Sequence, residues 1–429
     1  MTFPRMALPR MVLARQRLSN ERILDVEQAV RAAIAASGAS LRVKRGDRIA
    51  VTAGSRGIAD IQLVVRSVVA ELRAMGAEPF VVPAMGSHGG ATPEGQRAVL
   101  AEYGITEAEV GAPVLATMDT VIVGTLDDGF PVHLDRNAHE ADGIVVVGRV
   151  KAHTAFRADI ESGLCKMVAI GLGKQRGAEG IHARGLAHTI PAVAAVTLGT
   201  GKIVAGIGLV ENAHHQLHTI RGTSPERFHQ TDSALLVLAN ELLPRIPFDD
   251  LDLLVVDQLG KNLSGSGMDY NVVGMWRRIG GEKKPMFRRI AVLRITPESE
   301  GNALGMGIAD FTTRRLFDQI DMRKTYMNGL TANAIDACKI PIVMESELAA
   351  MEAALKSSGA GSEPRVVWIK NTLALDEMLV SEALLDEARS IGTLDLVGSP
   401  RPFELDGDEN VVRIDGAPSI ASGAAVATA

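Results

Sequence analysis

Aromatic side chains are scarce in this chain of 429 residues: Phe, Trp and Tyr make up 3% of it. Its cores must therefore be filled by Val, Ile, Leu and Ala, and the 46% apolar content gives ample material. Cysteine is scarcer still. Cys165 and Cys338 are the only two, which makes no disulfide framework and fits a reducing compartment. No apolar run approaches membrane-spanning length. The start, MTFPRMALPRMVLARQRL, has scattered arginines and lacks the continuous apolar stretch of a signal peptide. No Lys/Arg run is interleaved with aromatics, and the formal charge is −6. The expectation is a soluble, cytoplasmic protein with no nucleic-acid and no membrane partner. Composition does not speak to its oligomeric state.

The length exceeds what one core usually supports, so two domains are expected. In the first half strand and helix alternate. DRIAVTA reads as a strand, and a helix follows over about residues 60 to 75, with Ile61, Val64, Val65, Val68, Leu72 and Met75 on one face. Gly76 stops it, and EPFVVPA is the next strand. Thr92 and Pro93 form a good helix start, since the hydroxyl accepts an orphan amide and proline has none to lose. DTVIVGTL and DGIVVVGRV read as further strands, apolar enough on both faces for a parallel sheet covered by helices on each side. The proline-punctuated PRIPFDD marks a boundary. The predicted division is 1–243, carrying the chemistry, 244–415, closing a cleft, and 416–429, a flexible tail. After the boundary LDLLVVDQLG, RRIAVLRI, IPIVM and PRVVWIK resume the alternation, separated by glycine-rich loops long enough to be functional. The class is therefore α/β: two α/β domains with mostly parallel sheets and the active site between them.

In open α/β sheets ligands sit beyond the carboxyl ends of the strands. Arg56 follows the first strand, His88 the second, and Lys151 and His153 follow IVVVGRV. Singly, each is more often a structural or surface residue; together, at equivalent positions, they point to one site. Arginine offers a planar fork for a carboxylate. Two imidazoles can serve as general acid and base near neutral pH, and placed on opposite sides of one carbon they suit a 2-hydroxy-acid racemase. Next comes ESGLCKMVAIGLGKQRGAEGIH, whose glycines would let backbone approach a bulky ligand. It is no dinucleotide fingerprint, because Arg176 stands where the third glycine belongs, and no Gly-Lys-Ser/Thr closes a P-loop. Taken alone, this stretch reads rather as a flexible loop with an exposed lysine.

The motifs AGSR, SHGGAT, KAHT, SGLCK and EGIH, in that order, resemble the nickel-pincer lactate racemase family. The resemblance covers most of the first half. It implies a pyridinium-3,5-bisthiocarboxylic acid mononucleotide nickel complex bound covalently through Lys166, with Ser162, Gly163 and Thr92 as further cofactor contacts. His182 would be the protein's ligand to Ni(II), a metal suited to such a sulfur-rich, roughly planar set. Arg56 would hold the substrate carboxylate and His88 and His153 would be the paired bases, while hydride moves between C2 and the cofactor. Cofactor-biosynthesis proteins are implied as loading partners. The chain departs from the family at Ala53, where an aspartate is expected, and at Gly89, where an arginine is. A Tyr-Gln-x-x-Lys element is missing from the second half. GKNLSGSGMD stands there instead, with Lys261 and Asn262 as candidate substrate contacts, so the substrate is read as a 2-hydroxy acid and not as lactate itself.

Two other readings stay open. One is a metal-dependent hydrolase or lyase using His88, His153 and His182 as direct ligands, although no carboxylate accompanies them. The other is a non-catalytic organic-acid carrier, which needs Arg56 but has no use for Lys166. The cluster His214, His215 and His218 reads as a polar loop or helix start, and Cys165 as a small packing residue.

Overall fold

The protein is described by a computed structural model over residues 6–55 and 57–421. The chain divides into two compact units. One runs Ser19–Leu243; the other joins the start of the chain, up to Leu18, to everything from Pro244 onward.

With strands numbered along the chain, β1 (Met11–Gln16) belongs to the second unit. The first unit is built on a five-stranded sheet in the order β3 (Glu78–Pro83), β2 (Arg48–Ala53), β6 (Gly143–Arg149), β7 (Ile203–Glu211), β8 (Leu217–Thr223). The first four are parallel and β8 runs antiparallel to β7. Period-two alternation in GIVVVGR sends Val145 and Val147 to the face covered by the helix Ile61–Ala74. Ile144 and Val146 go to the opposite face, where Leu164, Val168, Ile181 and Ile190 pack. Both faces are buried, which is why these strands read as continuous apolar runs.

DTVIVGTL departs from expectation. It forms β4 (Thr120–Thr125), which pairs only with β5 (Pro131–Asp135), in a hairpin outside the sheet. Its residues are half-buried rather than buried, and Ile122 is 58% exposed. Gly124 lies so close to Val196 of the helix Leu186–Gly199 that a Cβ there would sit 2.6 Å from it. The hairpin therefore packs as a flap on a helix.

The second unit holds an eight-stranded sheet: β12 (Ile342–Met344), β11 (Phe311–Thr313), β10 (Met286–Ile295), β9 (Asp250–Leu259), β13 (Val366–Ile369), β14 (Glu377–Ser381), β1, β15 (Leu394–Arg401). The first five are parallel, and β14, β1 and β15 continue antiparallel. MVLARQ was grouped by sequence with residues 1–243; its pairing with β14 and β15 puts it in the other unit. The stretch from residue 416, expected as a loose tail, is tied down through Ala421. β16 (Arg413–Ile414) pairs with β17 (Ala417–Pro418), and Ile420 bridges Phe403. Residues 422–429 lie outside the described residues. No helix among the described residues is long and apolar enough to cross a membrane.

Candidate active site

From β2 the chain moves to β3 on one side, and β6 pairs on the other, so a topological switch falls at β2. Loops leaving adjacent strands there cover opposite faces and leave a crevice at their carboxyl ends. A cavity of about 300 Å³ occupies that place in the first unit. Gly54 and Ser55 after β2, residues 84–88 after β3, and Arg149, Lys151 and His153 at the end of β6 all line it. So do Ser162, Gly163, Lys166 and His182. Arg56 lies outside the described residues. Thr92 is not among the lining residues: its hydroxyl accepts the Gly95 amide at 3.0 Å and caps the helix Pro93–Glu102. Lys261 and Asn262 belong to the second unit, where the loop after β9 binds to itself and to the loop after β10. Lys261 Nζ donates to the Gly265 carbonyl, and Asn262 Oδ1 accepts from Thr296 at 2.7 Å.

The His88 loop is held from below by a buried network that residue pattern alone did not reveal. Gln96 Nε2 donates to the carbonyls of Gly86 (2.9 Å) and His88 (3.2 Å). Its Oε1 accepts from Lys174 Nζ at 2.9 Å. Lys174 also donates to the Pro83 carbonyl (2.6 Å) and pairs with Asp135 (2.9 Å); both side chains are 0% exposed. Two ammonium donors are thereby used in hydrogen bonds, and the carboxylate of Asp135 balances the charge. Burial pulls the Lys174 pKa down and pushes the Asp135 pKa up, and each charge opposes the shift of the other. The glycines around His88 serve this packing. A Cβ on Gly89 would lie 2.6 Å from the Gly95 backbone, whereas at Gly90 it would meet open space. Behind Lys166, a Cβ on Gly171 would lie 2.7 Å from the Ala84 carbonyl oxygen and one on Gly180 2.5 Å from the Phe130 ring, so protein packing alone asks for glycine at these two positions.

His88 Nδ1 meets the Ser55 hydroxyl. His153 sits in a tight turn. Its Nδ1 accepts the Ala155 amide at 3.0 Å, and its ring stacks at a tilt on Phe156, 4.6 Å between centroids. The backbone amide of His153 donates to Glu161, a buried carboxyl whose pKa is raised by burial and lowered in part by that bond and by Arg157. Arg149 is paired with Glu211, which also accepts the Ala59 amide at 2.7 Å.

Lys166 ends a short helical turn that is capped from a distance. Asp232, on the helix Phe228–Leu242, accepts the amides of Leu164 and Cys165, each at 2.8 Å. Gly163 is required here, since a Cβ would sit 2.4 Å from Asp232 Oδ1. The turn runs directly into a π-helical segment, Met167–Gly171, a distortion frequent at functional sites. Burial, and then the Asp232 charge, push the Cys165 thiol up, so it stays protonated and inert. His182 is solvent-exposed as a residue, yet desolvation of its ring and then the Lys166 charge hold its pKa below the usual histidine value. Its neutral form, with a lone pair to give, is favoured. Among the described residues no group of three His, Cys, Asp or Glu side chains could hold a metal. The reading of His88, His153 and His182 as a direct three-ligand site therefore gains no support from their arrangement.

Residues 8–192 match the family described as lactate racemase N-terminal domain. The lactate racemase apoprotein of Thermoanaerobacterium thermosaccharolyticum is similar in structure, with a TM-score of 0.53 over 84% of this chain and 94% of that one. At 12% identity the likeness is one of fold. No curated protein matches in sequence. The match of residues 8–192 to the lactate racemase N-terminal domain supports a racemase or epimerase type of enzyme.

Proposed function

We propose that the protein racemises or epimerises a 2-hydroxy acid with the aid of a nickel-pincer nucleotide held on Lys166. The observation that carries this reading is the convergence of Lys166, His182, His88 and His153 on one cavity. The donor set fits the group. A lysine amine is available for a covalent link, and one imidazole, favoured neutral, is available for the metal. A cofactor that brings its own sulfur and carbon ligands asks the protein for no more than that. When bound, such a group supplies a hydride acceptor and donor.

The chain's own residues bind, orient and move protons. His88 and His153 are the imidazoles within the cavity for the substrate hydroxyl, and Ser55 and the 153–156 turn orient them. Asp232 and Gly163 fix the turn that presents Lys166. Arg56, immediately after Ser55, is assigned to the substrate carboxylate, and Lys261 and Asn262 to the distal end of the substrate. The setting is cytoplasmic, where loading proteins would deliver the cofactor.

The test is production in cells that make the cofactor, followed by intact-mass and nickel analysis and a chiral assay over a panel of 2-hydroxy acids. Nickel in proportion to protein, an adduct mapped to Lys166 and interconversion of at least one antipodal pair are expected. Lys166→Ala should abolish all three. Nickel-free, unmodified wild-type protein with full activity would overturn the proposal.

A further inference from the structure

Arg149 lines the cavity, yet the proposed reaction gives it no task. In the alternation of β6 it follows Val145 and Val147, so it leaves the sheet on the face covered by the helix Ile61–Ala74. Ile58 and Ile61 line the cavity on that side. Lys166 is presented from the opposite face, where Leu164, Val168 and Ile170 pack. The cavity thus runs across the strand ends, with the tethering lysine towards one side and a guanidinium towards the other.

Glu211 fixes that guanidinium. One of its carboxylate oxygens accepts from Arg149 Nη1, and the other accepts the Ala59 amide at 2.7 Å. The Arg149 and Glu211 side chains are 18% and 8% exposed, so the pair is shielded and held from both ends. Arginine carries five N–H donors in a planar fork. Among the described residues Glu211 is the one acceptor that its side chain meets, which leaves an edge of the fork for an occupant of the cavity. Arg149, Lys151 and Lys166 bring positive charge to the lining, and no carboxylate among the described lining residues opposes it.

We infer that Arg149 anchors a second acidic group of the substrate, which is therefore a 2-hydroxy dicarboxylic acid. This rests on the proposed function, which gives the carboxylate beside C2 to Arg56, and it supplies the far end with an anchor in the first unit itself. An ion pair with Glu211 needs only one N–H, and a lysine would supply it. The rest of a planar fork is matched by a carboxylate, through two parallel N–H···O bonds. Ile58 and Ile61 suit the methylene that separates the two acid groups.

Binding can be read without turnover. The full-length apoprotein is titrated by calorimetry with malate, a 2-hydroxy diacid, and with lactate, which lacks the second acid. Malate should bind about 10- to 100-fold more tightly, the scale of hydrogen bonds to a charged group. Arg149→Lys keeps a cation for Glu211 and loses the fork, so the circular dichroism spectrum should persist while most of that preference disappears. Malate binding no tighter than that of lactate, or a preference untouched in Arg149→Lys, would overturn the inference. In loaded enzyme the same variant should raise KM for the diacid by a similar factor, with kcat changing far less. Loss of nickel in Arg149→Lys with the malate preference intact would assign the guanidinium to the cofactor's phosphate and overturn it too. Interconversion confined to monocarboxylic hydroxy acids would sink the second anchor and leave the racemase reading standing. Arg149-dependent malate binding in a protein that interconverts no hydroxy acid would overturn the proposed function alone.

Discussion

Asp232 commits both carboxylate oxygens to backbone amides one turn before Lys166. Asn at this position can accept with one atom only, and its NH₂ would face the other amide. Asp232→Asn should therefore destabilise the protein by about 1–3 kcal/mol, the penalty for a buried amide left unpaired. Urea midpoints would register it, and an unchanged midpoint would contradict the capping role. Glu161 gives a prediction in pH. Burial raises its pKa above the usual carboxyl value of 4.5, so the folded chain holds this proton more tightly than the unfolded one. The stability it contributes is fully present below that value and is lost as pH rises through the elevated one. Glu161→Gln has no such dependence. Between about pH 4 and about pH 7 the stability difference should shift in favour of the variant, and urea midpoints at both ends of that range check the sign.

At the level of elements, Lys174 and Gln96 join the end of β3, the His88 loop and the hairpin strand β5 into one unit. Lys174→Met leaves the Asp135 carboxylate buried and unpaired, which should destabilise by about 3–5 kcal/mol. Lys174→Met combined with Asp135→Leu should recover much of that loss. A double-mutant cycle measures the coupling, and simple additivity of the two changes would refute it. This network was invisible in GLGKQRG because nothing in the string separates a lysine facing water from one facing a carboxylate forty residues earlier. What periodicity does encode was legible: the helix Ile61–Ala74, the Thr92 cap, and the strands β2, β3 and β6 lie where pattern and turn chemistry put them. His88 and His153 could be located as a pair because loops at one sheet edge share a destination, whereas Lys166 was reached only through the family resemblance. The role of Asp232 could not, since its partners lie nearly seventy residues away. DTVIVGTL misled for a related reason, as composition marks a strand without naming its neighbours.

For the molecule as a whole, β1 sits between β14 and β15 and hydrogen-bonds to both. Removing residues 1–18 should leave β15 without its partner and β14 with an open edge, while the first unit keeps its sheet. Limited proteolysis should then cut the region after Pro244 early and spare Ser19–Leu243. Equal resistance of both parts would contradict this.

The same placement bears on how the chain comes off the ribosome. MVLARQ pairs with two strands made far later, so it must wait without those partners until translation has passed residue 401. The intervening unit can complete its own sheet in that interval. β1 is thus made long before β14 and β15 and can settle only after them, with both its edges open to other contacts in the meantime.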